Sequence, residues 1–336
     1  MEQVPEPWAE PRAAPGPLLD AQGRRIVYLR VSITDRCNFR CGYCSATKLE
    51  DTDRLLVRDE LARLVRIFAR LGVRRVRLTG GEPTLRKEVV DIAHDAARTP
   101  GIEEVALSTN GHRLGELSAP LRAAGVGALN VSLDTLSQEK LEQISGPAAR
   151  LSQVLDGIAA AAKAGFASLK LNTVELGGEN DDELGDLVRF AWAHGATPRF
   201  IELMPFAGHG QPLPTARVKE LLAAQGLTLV PDPDAKVGWG PAHYLRDPDG
   251  GRRVGFIGAM TENFCAACNR ARVTSTGEFQ ACLGGRARAP LGELLRSGAP
   301  EVEIEARIRG ALAAKAPRHH MEDDGIVLLP MRGIGG

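Results

Sequence analysis

From residue 26 to residue 204 the chain alternates between short β-branched runs and stretches of helical period, and few folds admit that alternation. IVYLRVSI (26–33) is a strand pattern. VRDELARLVRIFARLG (57–72) repeats Leu61, Leu64, Val65, Phe68 and Leu71 at three- and four-residue spacing and ends on Gly72, as an amphipathic helix does. The pattern then predicts strands over 73–83, 103–109, 128–134, 168–176 and 198–204. Helices are expected between them, over 87–98, near 115–124, over 151–164 and over 181–195. Six strand–helix steps imply a parallel sheet with right-handed crossovers. No G-x-G-x-x-G follows the first strand and no phosphate-loop motif is present, which disfavours a doubly wound nucleotide-binding sheet. The expected architecture is α/β, an incomplete (β/α)6 barrel of the TIM type. Ligands of such barrels gather at the C-terminal strand ends. The reading places there the first cysteines, Gly80 to Pro83, Ser108 to Gly111, Ser132 to Asp134, Lys170 and Met204.

The alternation stops after about residue 205. AGHGQPLPTA reads as a loop, followed by short strand patterns (AHYLRD, RRVGFIG, ARVTST, EFQACL) and a helix near 300–315. The chain thus divides into a proline-rich lead-in (1–25), the partial barrel (26–205) and a C-terminal α+β appendage (206–336).

Six cysteines form two trios, Cys37-x3-Cys41-x2-Cys44 and Cys265-x2-Cys268-x13-Cys282, with none between them. A disulfide scaffold does not suit a cytosolic chain of this size. Structural zinc takes four protein ligands; each trio offers three, and no histidine lies inside either. Three thiolates on a four-iron cluster leave one iron open to another ligand. Zinc and iron–sulfur both fit the spacing, with iron–sulfur favoured. The second trio reaches the barrel mouth only if the appendage folds back over it.

Lys+Arg 42 balances Asp+Glu 42, so bulk charge does not draw this chain to nucleic acid or to an anionic membrane. Composition is ordinary for a globular protein, no apolar run approaches the ~18 residues of a membrane span, and MEQVPEPWAEPRAAPGP has no signal-peptide character. A cytoplasmic protein is expected.

With Tyr43 before its third cysteine, the first trio resembles the cluster loop of radical S-adenosylmethionine (radical-SAM) enzymes, and Gly80-Gly81-Glu82-Pro83 at the next strand end strengthens the likeness. From about residue 26 to the end, the chain resembles the GTP 3′,8-cyclase (MoaA) family of molybdenum cofactor biosynthesis. The matching stretches are LRVSITDRCNFRCGYC (29–44), VRLTGGEPTLR (76–86), STNG (108–111), NVSLDTL (130–136), LKLNTV (169–174), RFIELMP (199–205), FCAACNRARVTSTGEFQACL (264–283) and the terminal Gly335-Gly336.

The resemblance implies a barrel of the radical-SAM kind with two [4Fe-4S] clusters. Cys37, Cys41 and Cys44 would hold the first, whose open iron chelates S-adenosylmethionine; Tyr43, Gly81, Glu82, Ser132 and Met204 would position that cofactor. Cys265, Cys268 and Cys282 would hold the second, whose open iron binds the guanine of GTP. Arg30, Arg75, Arg77, Ser108, Lys170, Arg199, Arg270, Ala271 and Arg272 fall at substrate positions, with Arg270 and Arg272 on one strand face also at catalytic ones. A deoxyadenosyl radical would take hydrogen from C3′ of the ribose, the C3′ radical would attack C8, and an electron and a proton would then complete (8S)-3′,8-cyclo-7,8-dihydroguanosine 5′-triphosphate. The implied chemistry calls for an electron donor, and Gly333 to Gly336 resembles a tail that enters the active site in the family. A homodimer and handover to the next pathway enzyme are compatible with the resemblance, and the sequence decides neither. Two positions depart from the family pattern: Ser45-Ala46-Thr47-Lys48 after the first trio and Gly284-Gly285 after Cys282. Two other readings stay open, a radical-SAM enzyme that modifies a peptide and a non-catalytic zinc-stabilised binding protein. The cationic set argues against the first, and Gly80 to Pro83 against the second.

Overall fold

The computed structural model describes residues 16–44, 54–205, 210–232, 240–321 and Met331. The glycine tail and Ser45 to Lys48 lie outside the described residues. The alternation becomes β1 (Tyr28–Ser32), α1 (Arg58–Arg70), β2 (Arg75–Thr79), α2 (Val89–Ala97), β3 (Glu104–Thr109), α3 (Leu114–Ala123), β4 (Val126–Ser132), α4 (Gln138–Ser145), α5 (Leu151–Lys163), β5 (Ser168–Gly177), α6 (Leu184–Ala193) and β6 (Thr197–Glu202). Helix α1 begins where the Glu60 carboxylate accepts the Val57 amide at 2.9 Å. Helix α4 was not expected from the pattern. It is short, capped by the Ser137 hydroxyl and ended by Gly146 at φ 88°, so local caps rather than a long apolar stripe define it.

The C-terminal region supplies β7 (Gln211–Pro212), α7 (Thr215–Ala224), β8 (Val230–Pro231), β9 (His243–Arg246), β10 (Arg253–Ile257), β11 (Arg270–Val273), β12 (Glu278–Gln280), β13 (Arg288–Pro290), α8 (Gly292–Arg296) and α9 (Glu301–Ala313). β7 and the start of α7 therefore replace part of the loop expected over AGHGQPLPTA. No described helix is long and apolar enough to cross a membrane.

Strands β1 to β6 pair in chain order and in parallel. The C-terminal strands then join both edges: β11 lies parallel to β1 and β10 parallel to β6. The sheet ends at β13 on one side and β8 on the other, an open rather than closed barrel. Alternate strand residues face opposite sides. Leu29, Val31, Val76, Leu78, Val105, Leu107, Leu129 and Val131 face outward and bury themselves with Leu61, Leu64, Phe68, Ile92, Leu121 and Val154 of the helices. Each such side chain contributes about 1.5–3 kcal/mol. The intervening positions are mostly polar and face the lumen.

Pairing of β11 with β1 decides where the second trio lies. The first trio follows the C-terminal end of β1, whereas Cys265 and Cys268 precede the N-terminal end of β11. Cys282 follows β12, which runs antiparallel to β11, and so returns to that same end. The expectation that the appendage could fold over the mouth is thereby corrected. The two trios stand at opposite ends of one lumen, separated by a strand length on the order of 15 Å.

Candidate active site

A cavity of about 340 Å³ occupies the lumen. Its walls include both trios, Tyr43, Gly81, Glu82, Ser132 and Met204, and all of Arg30, Arg75, Arg77, Ser108, Lys170, Arg199, Arg270, Ala271 and Arg272. The structure thus brings together both trios and the cofactor and substrate candidates singled out from sequence, while the glycine tail lies outside the described residues. One placement differs. Lys170 is the third residue of a ten-residue strand and pairs with Thr197, the first residue of β6, so it lies toward the N-terminal end of the barrel rather than the C-terminal end. Ala271 is opposite Leu29 and its methyl joins the core behind the sheet, which leaves its main chain to face the cavity.

Two rungs of the sheet explain the cationic wall. In one, Tyr28 stands between Arg270 and Arg75; in the next, Arg30 stands between Arg272 and Arg77. Arg77 donates to the Tyr28 oxygen and to the Ser108 hydroxyl, the latter at 3.0 Å. The Arg75 guanidinium lies 5.0 Å from the Tyr28 ring centroid and pairs with Glu104 at 2.6 Å. Arg199 donates to the Asn172 side-chain oxygen Oδ1 at 3.0 and 2.7 Å. Confinement leaves these cations poorly compensated. Burial, then repulsion from Arg199, Arg75 and Arg77, brings the Lys170 ammonium down to about 8. Burial and Arg270 bring Arg272 down to about 10. Tyr28 is buried, which alone would raise its phenol, yet Arg77, Arg75 and Arg30 outweigh this and lower it to about 7. Such a wall is unfavourable by itself and favourable around a polyanion.

The first-trio end has the opposite character. Gly81 donates its amide to the Thr34 carbonyl at 2.8 Å and Glu82 donates its amide to the Arg36 carbonyl at 2.7 Å, so the β2 loop lies directly on the loop that carries Cys37. A methyl on Gly81 would overlap the Arg36 carbonyl oxygen. What these glycines admit closely is therefore the cysteine loop itself. The buried Glu82 carboxylate accepts from the Thr84 amide and hydroxyl, the Thr109 hydroxyl and the Asn110 amide, at 2.5–2.9 Å. It staples the β2 loop to the β3 loop. Tyr43 donates its hydroxyl to Asp134 at 2.7 Å, and Asp134 also accepts the Val174 amide at 2.9 Å. Burial still pushes the Asp134 carboxyl up to about 6.

All six cysteines are free thiols. Among the described residues no group of His, Cys, Asp and Glu converges on a single metal ion. Three thiolates on a cluster each hold a different iron, so a cluster does not require that convergence. Within each trio the thiols are near enough to disfavour one another's ionisation: Cys44 and Cys37 act on Cys41, and Cys268 and Cys265 on Cys282. His319 lines the cavity, but its Nε2 meets the Ala259 carbonyl at 3.0 Å and its Nδ1 accepts the Met321 amide at 3.4 Å, so it makes no fourth zinc ligand. The donor sets fit iron–sulfur clusters better than zinc.

Sequence reasoning missed Tyr28, Asn130, Asn172 and Tyr244 among the cavity-lining residues. Period two could have found three of them: Tyr28 stands two before Arg30, Asn130 two before Ser132, and Asn172 two after Lys170. Tyr244, on a strand reached only through β10, had no such signal.

Residues 31–191 match the radical SAM superfamily, and residues 196–321 match the family Molybdenum Cofactor Synthesis C. The chain is 42% identical to GTP 3′,8-cyclase 2 of Pseudomonas aeruginosa over 311 residues, covering 91% of this chain and 94% of that one. It is 41% identical to the GTP 3′,8-cyclase of Heliobacterium modesticaldum over 329 residues, 95% and 100% of the two chains. Among solved structures, Streptococcus suis SuiB bound to S-adenosylmethionine is similar at a TM-score of 0.61 and 15% identity, covering 82% of this chain and 66% of that one, a likeness of fold. Identity at the level of the two cyclases, sustained over nearly the whole length, decides the family: the chain belongs to the GTP 3′,8-cyclases of the radical SAM superfamily.

Proposed function

We propose that this chain joins C3′ of the ribose to C8 of the guanine in GTP, the first step of molybdenum cofactor biosynthesis. One observation carries the reading to this substrate: a wall of basic side chains in a buried cavity that has a cysteine trio at each end. Bound at Cys37, Cys41 and Cys44, a [4Fe-4S] cluster with S-adenosylmethionine supplies an alkyl radical by one-electron cleavage of the sulfonium. The chain does the rest by placement. Arg30, Arg75, Arg77, Lys170, Arg199, Arg270 and Arg272 hold the triphosphate, each charge-assisted hydrogen bond contributing about 1.5–3 kcal/mol. Fixing the phosphates orients the ribose and base of one nucleotide toward each other. Enclosure by the barrel keeps water and stray side chains from a reactive radical.

We further assign a second [4Fe-4S] cluster to Cys265, Cys268 and Cys282, cofactor contacts to Tyr43, Gly81, Glu82, Ser132 and Met204, and substrate contacts to Ser108 and the Ala271 main chain. An electron donor outside the chain, a cytoplasmic setting, a homodimer and handover to the next enzyme belong to the same proposal. A peptide substrate gives no reason for the cationic wall. The test is anaerobic reconstitution with iron and sulfide, then 5′-deoxyadenosine measured with and without GTP. A large GTP-dependent rise is expected. Intact clusters that ignore GTP would turn the reading to a peptide substrate, and a protein that takes up no iron would return it to zinc.

A further inference from the structure

Lys315 follows α9 and is 2% exposed, deep for an ammonium group. Its Nζ lies 3.1 Å from the Arg270 carbonyl oxygen, 3.6 Å from Cys268 Sγ and 3.7 Å from Asp20 Oδ2. Asp20 is buried and firmly held: its Oδ1 accepts the Gln22 and Arg24 amides at 3.0 Å, and its Oδ2 accepts Arg24 Nε at 2.7 Å. Arg24 continues to the carbonyls of Cys265 at 2.6 Å, Pro317 at 2.8 Å and Ala316 at 3.1 Å. Part of the segment expected as a loose lead-in thus ties the second cysteine loop to the segment after α9.

Among the described residues, one carboxylate in this knot, Asp20, meets two cations, Lys315 and Arg24, so positive charge faces the sulfur. The Cys41 sulfur of the first trio, among the described residues, meets the neutral Ser145 hydroxyl at 3.2 Å rather than a cation.

We propose that Lys315 is a positioning residue of the second trio, donating an N–H···S hydrogen bond to the Cys268 sulfur and raising the reduction potential of the cluster held there. This rests on the reading of Cys265, Cys268 and Cys282 as a cluster site. Reduction adds an electron to an already anionic thiolate-ligated group, so a nearby ammonium stabilises the reduced form more than the oxidised one.

The experiment is an anaerobic redox titration of the two-cluster holoenzyme followed by electron paramagnetic resonance, with iron and sulfide counted. Lys315→Met is expected to shift the second-cluster midpoint to lower potential and leave the first-cluster midpoint in place. Lys315→Arg, which keeps the charge and the donors, is expected to restore it toward wild type. Lys315→Gln keeps a neutral donor and is expected to shift it downward by less, which preserves the test where Lys315→Met fails to load. A wild-type midpoint in a Met or Gln variant carrying both clusters overturns the proposal. Wild-type protein that loads a single cluster instead removes the cluster reading itself.

Discussion

At one end of the lumen the Cys41 sulfur faces the Ser145 hydroxyl, and the carboxylates of Glu82, Asp134 and Glu202 line the wall. At the other, the Cys268 sulfur faces the Lys315 ammonium, and Arg270 and Arg272 lead away from it. Burial, then Asp134, pushes the Cys41 thiol up to about 12, whereas the cations around Cys268 pull its thiol down. Cys41 and Cys268 therefore sit in fields of opposite sign. The acidic end suits a ligand that carries a sulfonium and an ammonium; the basic end suits one that carries phosphates.

The largest expected effect breaks the first end alone. Gly81→Ala sets a methyl against the Arg36 carbonyl oxygen, where no rotamer can relieve it. We expect a cost on the order of 3 kcal/mol or more to that packing and loss of roughly half the bound iron, read by iron analysis of reconstituted protein. Gly284→Ala is the matched change at the second end. Its methyl meets the Met321 side chain, at Cγ and Cε, rather than a main-chain oxygen, so rotation of that side chain relieves part of the overlap and a smaller loss of iron is expected. Equal loss in both variants would erase the distinction between a rigid loop-on-loop contact and a yielding one.

Next in size is a test of the opposed fields. Arg77→Ala removes a donor from the basic wall, and the nucleotide is expected to bind about 10- to 150-fold more weakly. Its binding of S-adenosylmethionine is expected to stay near wild type. Asp134→Asn removes an acid from the other end and is expected to do the reverse. Equilibrium binding of each ligand to each variant checks this, and a variant that weakens both ligands equally would argue for one undivided site.

How much of this was legible in the sequence depends on how far apart the deciding residues lie. The six strands and their outward apolar faces were readable because period two is local. The trios were readable as ligand sets because their spacings are local too. The end of the lumen that receives Cys265 and Cys268 was not, because it depends on β11 choosing β1 as a parallel neighbour some 240 residues earlier in the chain. For the same reason the packing of Gly81 against the Arg36 carbonyl was not legible. Asp20 and Arg24 looked like part of a polar lead-in; only the fold brings Lys315 and the Cys265 carbonyl to them.

The smallest effect concerns how the basic end stands without its anion. Tyr28 is lowered from 10.0 to about 7 despite its burial, so the folded site favours the phenolate. Between those values the unfolded chain binds a proton that the folded one lacks, and stability rises with pH across that window. Lys170, lowered from 10.5 to about 8 by burial and its cationic neighbours, has the same sign because the folded site favours the neutral amine. Nucleotide-free protein is therefore expected to gain a few degrees in Tm as pH rises from 7 toward 10. Tyr28→Phe should flatten the lower part of that rise, and bound GTP should flatten it further by neutralising the guanidiniums that hold the phenolate. Glu175 supplies a control of opposite sign. It is fully buried on the outer face of β5, neither oxygen has a hydrogen-bond partner among the described residues, and burial, with Glu202 and Glu262 nearby, raises it from 4.5 to about 8. Its contribution is present below 4.5 and lost as pH rises through 8, so Glu175→Gln should improve stability near pH 8 and leave the Tyr28 response to GTP unchanged. A Tm that climbs above pH 7 equally in wild type and Tyr28→Phe would place the excess charge of the basic end on Lys170 alone.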